Sequence, residues 1–342
     1  MKKAVILFNL GGPDKLENVK PFLFNLFNDP AILNLPTFFR YPLAKLISNR
    51  RAPTAKKIYQ ELGGSSPILK LTNDQANQLE IKLNKDQTND LYKCFVVMRC
   101  WNPRAKEVIK NVRLYDPEEI ILMPLYPQYS AATSGSSIKE WKDECKNNNF
   151  NVKTGVICCY PTDENFIKSH IEEISKKIQN LDNYKLIFSA HGLPEKNIKK
   201  GDPYQWQVEQ SVDAIVKKLN ILNLNWILSY QSRVGPLKWI GPSTEDVIIK
   251  NSKEGKNIVI VPIAFVSEHS ETLVELDIEY KSLAIKNGCN EYLRVPAPGI
   301  NLFFIKAMSE LILKKNNYEF QKNLYTPKIQ CPSNFKKCPC LQ

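Results

Sequence analysis

Short apolar runs recur along the whole chain, separated by amphipathic stretches. They fall at residues 4–10, 92–99, 119–126, 152–159, 184–190, 226–231, 257–265 and 291–295. Apolar residues on successive positions suit strands buried on both faces. Helical periodicity fills the intervals, as at 73–83, 103–114, 136–147, 163–179 and 208–219. Such strands joined by helices predict parallel α/β sheets. With about four strands in each half, the 342 residues suit two doubly wound lobes, 1–150 and 151–315. The tail, 316–342, has turn residues and cysteines but little periodic core, and reads as an appendage of the second lobe. No internal repeat is visible by identity.

Ligands of open α/β sheets sit beyond the carboxyl ends of the strands. The residues there include Leu10-Gly11-Gly12-Pro13, Arg99-Cys100-Trp101, Tyr126-Pro127-Gln128-Tyr129-Ser130, His191-Gly192 and His269-Ser270-Glu271. Of only three histidines, two stand at strand ends. Gly11-Gly12-Pro13 lacks both the G-x-G-x-x-G spacing and a P-loop lysine, so a nucleotide cofactor is not expected.

The net charge of +12 permits weak attraction to anionic lipid. The lysines are dispersed and no basic stripe carries interleaved aromatics, so nucleic acid is not an expected partner. No apolar run approaches the ~20 residues that span a bilayer. The first apolar run is too short for a signal peptide and runs into Gly11-Gly12-Pro13, which predicts a cytoplasmic protein. Residues 21–47 are dense in Phe and Leu, too dense for one helical face. Two readings stay open there, core or an exposed apolar lip for a greasy ligand or a membrane.

Several blocks, in this order, resemble the ferrochelatase family. They are Leu10-Gly11-Gly12-Pro13, Gly63-Gly64-Ser65-Ser66-Pro67-Ile68, Tyr126-Pro127-Gln128-Tyr129-Ser130 and Ser189-Ala190-His191-Gly192-Leu193-Pro194. Two longer ones follow, Tyr230-Gln231-Ser232-Arg233-Val234-Gly235-Pro236 through Trp239, and Val261-Pro262 through His269-Ser270-Glu271 to Tyr280. The resemblance spans essentially the whole chain. It implies two Rossmann-like lobes of the chelatase fold with a porphyrin cleft between them. The implied activity is that of a lyase inserting Fe2+ into protoporphyrin IX at the end of haem biosynthesis. Coproporphyrin as substrate, a related tetrapyrrole chelatase and a non-enzymatic binding module are the alternatives.

Metallating a porphyrin requires a base near the ring centre, an exit for two protons and walls that hold the ring distorted. His191 is the expected base, or the last ligand of the incoming iron. The resemblance places Glu271 opposite it. Glu271, Glu275 and Glu279 recur at helical spacing. The ordinary reading of such a row is a solvated face. The resemblance makes it a proton or metal path on a π-widened helix, supported by Glu268 and His269. The resemblance also implies that Leu10, Tyr126, Tyr129, Ser130 and Trp239 wall the porphyrin and that Arg51, Tyr59, Ser66 and Arg99 anchor it. Each of these has packing or turn geometry as its plain alternative. Cys100 stands where some family members carry an aromatic residue. Monomer and homodimer are both compatible with the resemblance.

Nine cysteines, an odd number, argue against a disulfide framework. Cys331, Cys338 and Cys340 crowd into the last twelve residues, a density that favours zinc or iron–sulfur. Three thiolates need a fourth, and Cys158 or Cys159 could supply it; Cys158 is chosen. Some bacterial ferrochelatases, by resemblance, carry a [2Fe–2S] cluster on such an extension.

Overall fold

A computed structural model describes residues 1–86, 89–313, 319–321, 324–326 and 331–341. The chain divides into two compact units. One comprises Met1–Cys159 with Met308–Lys328, the other Tyr160–Ala307 with Ile329–Gln342.

The first unit is built on β1 (Lys2–Asn9), whose residues Ala4 to Phe8 are at most 1% exposed. Burying each of Val5, Ile6, Leu7 and Phe8 is worth about 1.5–3 kcal/mol. The chain continues through α1 (Val19–Phe27), α2 (Thr37–Glu61), α3 (Ile68–Asp86), β2 (Leu91–Met98), α4 (Ala105–Tyr115) and β3 (Glu119–Pro124). A single π turn at Ala131–Gly135 then leads into α5 (Ser136–Asn147) and β4 (Lys153–Ile157). The four strands are parallel in the order β2-β1-β3-β4. Phe8, Val108, Val112 and Trp141 form the core on one sheet face.

The second unit contains α6 (Glu164–Lys177), β5 (Tyr184–His191), α7 (Glu195–Lys199), α8 (Tyr204–Leu219), β6 (Trp226–Gln231), α9 (Thr244–Lys253) and β7 (Asn257–Pro262). A π-helix at Glu271–Tyr280, α10 (Lys281–Lys286), β8 (Tyr292–Arg294) and α11 (Leu302–Ile312) complete the run. Its sheet order is β6-β5-β7-β8, all parallel. Both units therefore use the order second, first, third, fourth strand. Both also carry π-helix after the third strand. The duplication that residue identities hide is visible in topology.

Two expectations change. The division falls at Cys159 rather than near residue 150, because β4 completes the first sheet by pairing with β3. The tail is not wholly an appendage of the second unit. Strands β9 (Glu319–Gln321) and β10 (Leu324–Thr326) extend the first sheet, β10 parallel to β4, and so cover an otherwise open edge. Only its last part belongs to the second unit.

The apolar segment at 21–47 is core in part and exposed in part. Phe22 and Leu23 pack in a core with Val19, Ala52 and Tyr59. Phe38, Phe39, Tyr41 and Leu46 point outward, with Phe38 83% exposed. Among the described residues no helix is long and apolar enough to cross a membrane.

Candidate active site

Parallel register delivers the first side chains of the site. His191, the last residue of β5, lies opposite Gln231, the last residue of β6. The loop after β7 carries Phe265 and His269 and turns into the π-helix, which opens on Glu271. His191 Nδ1 meets Glu271 Oε2 at 2.9 Å, and His269 Nε2 lies 3.6 Å from the same oxygen. Phe265 stands edge-on to His191, with ring centres 6.4 Å apart, and packs at 4.6 Å from His269. The hydroxyl of Tyr204 on α8 donates to the His191 carbonyl at 3.0 Å. His191 keeps 41% of its side-chain surface open, and its Nε2 has no protein partner among the described residues.

Glu275, one turn on, is held on all sides. Gln231 Nε2 donates to it at 3.1 Å and also to the Glu271 carbonyl at 3.1 Å. Ser232 donates its backbone N–H at 2.9 Å and its hydroxyl at 2.6 Å, and Tyr280 its hydroxyl at 2.8 Å. Ser232 adopts φ +60°, a left-handed conformation rare outside glycine and asparagine, and this aims both of its donors at one carboxylate. The amide of Gln231 is itself fixed, because its Oε1 accepts from Ser189 Oγ at 2.8 Å. Ser189 and Ser229 also meet the Thr244 hydroxyl, at 3.0 and 2.9 Å.

Electrostatics separates the two carboxyls. Burial opposes ionisation of Glu271, but His191 and then His269 hold it far below the usual carboxylate range. Burial, followed by the charge of Glu271, raises Glu275. For His191, burial disfavours the charged ring, and Glu271 outweighs it, so the imidazole is raised above its ordinary 6.5. The raised histidine contributes to stability fully below its unfolded value, a contribution lost as pH rises through its folded value. The lowered Glu271 contributes above its unfolded value, and that contribution fades as pH falls through its folded one. With Nδ1 donating to a carboxylate, Nε2 presents a lone pair to the open side, where it can take a proton or a metal.

Other expected residues land elsewhere. Glu268 does not join the acidic row. Its Oε1 accepts from Arg294 at 2.7 Å and from the Ala297 N–H at 2.9 Å, while Arg294 also forks onto Asp277 at 2.7 and 2.8 Å. Arg294 thus ties the loop before the π-helix to a residue inside it. Glu279 is exposed and in no ion pair among the described residues. Trp239 lies over Gly192, where an added Cβ would come 3.2 Å from its ring.

In the first unit, Arg99 is committed to a local network. It meets Asp29 at 2.9 Å, Ser136 at 2.7 Å and Glu140 at 3.5 Å, and so fixes the start of α5 rather than offering a free cation. Ser130 caps the π turn by accepting from the Ala132 N–H at 3.1 Å. The Tyr129 hydroxyl covers Gly135, leaving no room for a side chain there. Burial raises the Tyr126 phenol strongly. Ser66 is pinned to the Gly12-Pro13 turn, its N–H donating to the Pro13 carbonyl at 2.8 Å. Tyr59 packs edge-on to Phe22 in the core, and Leu10 borders the same cluster. Arg51 alone of the expected cations is exposed and unpaired among the described residues, with its guanidinium 5.8 Å from the Phe27 ring centre.

The last part of the tail is docked on the second unit. Lys337 N–H donates to the Gly201 carbonyl at 3.0 Å, and Trp206 packs on Phe335 at 5.9 Å. Gly201, at φ +87°, approaches the Lys336 backbone so closely that a Cβ would sit 2.8 Å from it. Cys331 and Cys338 are buried, and Gln207 Nε2 donates to Cys331 Sγ at 3.2 Å. The adjoining Cys338 thiol, and then burial, push the Cys331 thiol far up. Cys340 follows in a 3-10 turn, Pro339–Leu341. The sulfurs of Cys338 and Cys340 lie within 4.8 Å of one another, a spacing suited to a thiophilic metal.

Two open parallel α/β units with ligand-type side chains at the strand ends define the chelatase fold. The solved structure described as SirB from Bacillus subtilis with Fe3+ shares it, with TM-score 0.54 and 14% identity over 92% of this chain and 95% of that one. The family model for ferrochelatase matches residues 2–316. The ferrochelatase of Pelagibacter ubique is 78% identical over 341 residues, covering 100% of this chain and 99% of its own. That of Rickettsia bellii is 50% identical over 340 residues, covering 98% and 94%. The chain belongs to the ferrochelatase family.

His191 should titrate above about 6.5 by histidine-ring NMR, and Glu271→Gln should bring it below that value, since burial then acts with less opposition. An unchanged His191 titration in that variant would contradict the pairing.

Proposed function

We propose that the chain inserts Fe2+ into protoporphyrin IX with release of two protons, a lyase reaction that ends haem biosynthesis. The observation that carries this reading is the free Nε2 of His191, whose Nδ1 is held by Glu271 at 2.9 Å. A porphyrin dianion forms only if both pyrrole N–H protons leave as iron enters. His191 Nε2 takes a proton and Glu271 stabilises the imidazolium that results. Glu275, raised by burial and then by the charge of Glu271, is a carboxyl that takes up a proton more readily than its neighbour. Glu279 stands exposed at the outer end of the row and passes protons to solvent. Glu268 acts through Arg294 as a positioning residue. Arg51 supplies a cation for a propionate, and Leu10, Tyr126, Tyr129, Ser130 and Trp239 furnish porphyrin walls. Tyr59, Ser66 and Arg99 support those walls through the contacts described above.

The cysteine tail is proposed to hold a [2Fe–2S] cluster through Cys158, Cys331, Cys338 and Cys340. Cys158 is fully buried just past the end of β4, and thiolates are the ordinary ligands of such clusters. The cluster would cross-link the tail and stabilise the fold. The exposed Phe38 and Phe39 are proposed to bring the protein reversibly to the cytoplasmic face of a membrane.

His191→Ala should retain porphyrin binding, read by fluorescence, and lose anaerobic iron insertion by about 10²–10⁴-fold. Near-normal turnover would remove its assigned role. Cys331→Ser should bleach visible absorption of anaerobically purified protein and lower Tm; unchanged colour and Tm would exclude the cluster. Vesicles of anionic lipid should float the protein, and Phe38→Ser with Phe39→Ser should abolish this; recovery of both proteins at the bottom of the gradient would discard the membrane reading.

A further inference from the structure

The start of α8 meets two parts of the second unit at once. Tyr204 reaches the end of β5, where its hydroxyl donates to the His191 carbonyl at 3.0 Å. One turn on, Gln207 reaches the tail, and its Nε2 donates to Cys331 Sγ at 3.2 Å. Both side chains are buried. Further contacts fix the same stretch to the tail. Lys337 N–H donates to the Gly201 carbonyl, Gly201 lies against the Lys336 backbone, and Trp206 packs on Phe335. Asp202, 1% exposed, closes the turn by accepting from the Tyr204 N–H at 3.1 Å. From Gly201 to Gln207, three residues thus grip the tail and one grips the strand that carries His191.

The tyrosine is suited to hold a peptide in place. Burial above all raises its phenol well beyond the ordinary range, so the hydroxyl stays a donor. The carbonyl it holds belongs to the residue whose Nδ1 must meet Glu271 Oε2 at 2.9 Å. Catalytic groups tolerate displacements of only about 0.5 Å, so a peptide free to rock at His191 would loosen that pairing.

We propose that Tyr204 is a positioning residue for His191, and that the docked tail holds Tyr204 in place through the first turns of α8. The proposal rests on the reading of His191 as the base of iron insertion. The tail thereby acts on the chemistry without touching the porphyrin.

The test uses the full-length protein and two readouts. One is the Cε1–H resonance of His191 without substrate, assigned through His191→Ala. The other is steady-state anaerobic iron insertion, at a temperature where circular dichroism shows each variant folded. Phe335→Ala removes the contact with Trp206 and alters neither a thiol nor the site. It should move the His191 resonance and lower kcat about two- to tenfold, the span of one hydrogen bond, with KM for porphyrin unchanged. Tyr204→Phe should do the same. In the Tyr204→Phe background, Phe335→Ala should cost no further kcat, because both changes break one linkage. Gly201→Ala, whose Cβ would meet the Lys336 backbone at 2.8 Å, displaces the tail by a second route and should act like Phe335→Ala. Should Tyr204→Phe fail to fold, the resonance shifts in Phe335→Ala and Gly201→Ala carry the test alone. A His191 resonance that stays in place in both tail variants, losses in kcat that add in full, or a loss carried by KM would each overturn the proposal. The resonance reads the linkage without turnover, so failure of His191 as the base is seen separately.

Discussion

The hydrogen bond between His191 Nδ1 and Glu271 Oε2 is the contact around which the second unit is arranged. It fixes which imidazole nitrogen faces the open side, and it keeps Glu271 ionised despite burial. Neither residue could hold this geometry alone. Strand pairing sets His191 beside Gln231, and the hydroxyls of Ser189, Ser229 and Thr244 orient the Gln231 amide. Gln231 then grips the π-helix at the Glu271 carbonyl and the Glu275 carboxylate. A buried layer of small polar side chains thus transmits the precision of the sheet to the acids.

Two carboxylates a helical turn apart repel one another, and here both are at least half-buried. The protein manages this by giving them different partners. Glu271 receives histidines, and Glu275 receives neutral donors from Gln231, Ser232 and Tyr280. One is kept ionised and the other is drawn toward protonation. That split suits a site that must accept protons in succession as a dication enters a porphyrin. The π geometry is sustained from outside by Arg294, which joins Glu268 to Asp277.

The sheet architecture was legible because central strands buried on both faces leave continuous apolar runs between amphipathic helical stretches. All eight expected strands appear, displaced by a few residues at their ends. Strands β9 and β10 were not legible, since three-residue edge strands carry no period. His191 and Glu271 could be named from their motifs. Tyr204, Gln231, Ser232 and Arg294 could not be given roles. Their action depends on parallel register, on a positive φ at Ser232 and on a long-range fork, none of which leaves a local mark. Arg99 and Glu268 misled for the same reason. A charged residue in a family motif looks available until its partner, Asp29 or Arg294, is brought in from far along the chain.

The most direct test of the central claim is the pH dependence of kcat/KM for anaerobic iron insertion into protoporphyrin. If neutral His191 takes the pyrrole proton while Glu271 raises its pKa, the rate should climb along an acidic limb centred above about 6.5. In Glu271→Gln the residual activity should show that limb displaced to lower pH. A profile that is flat through neutrality, or a limb that stays in place when Glu271 is replaced, would contradict the account.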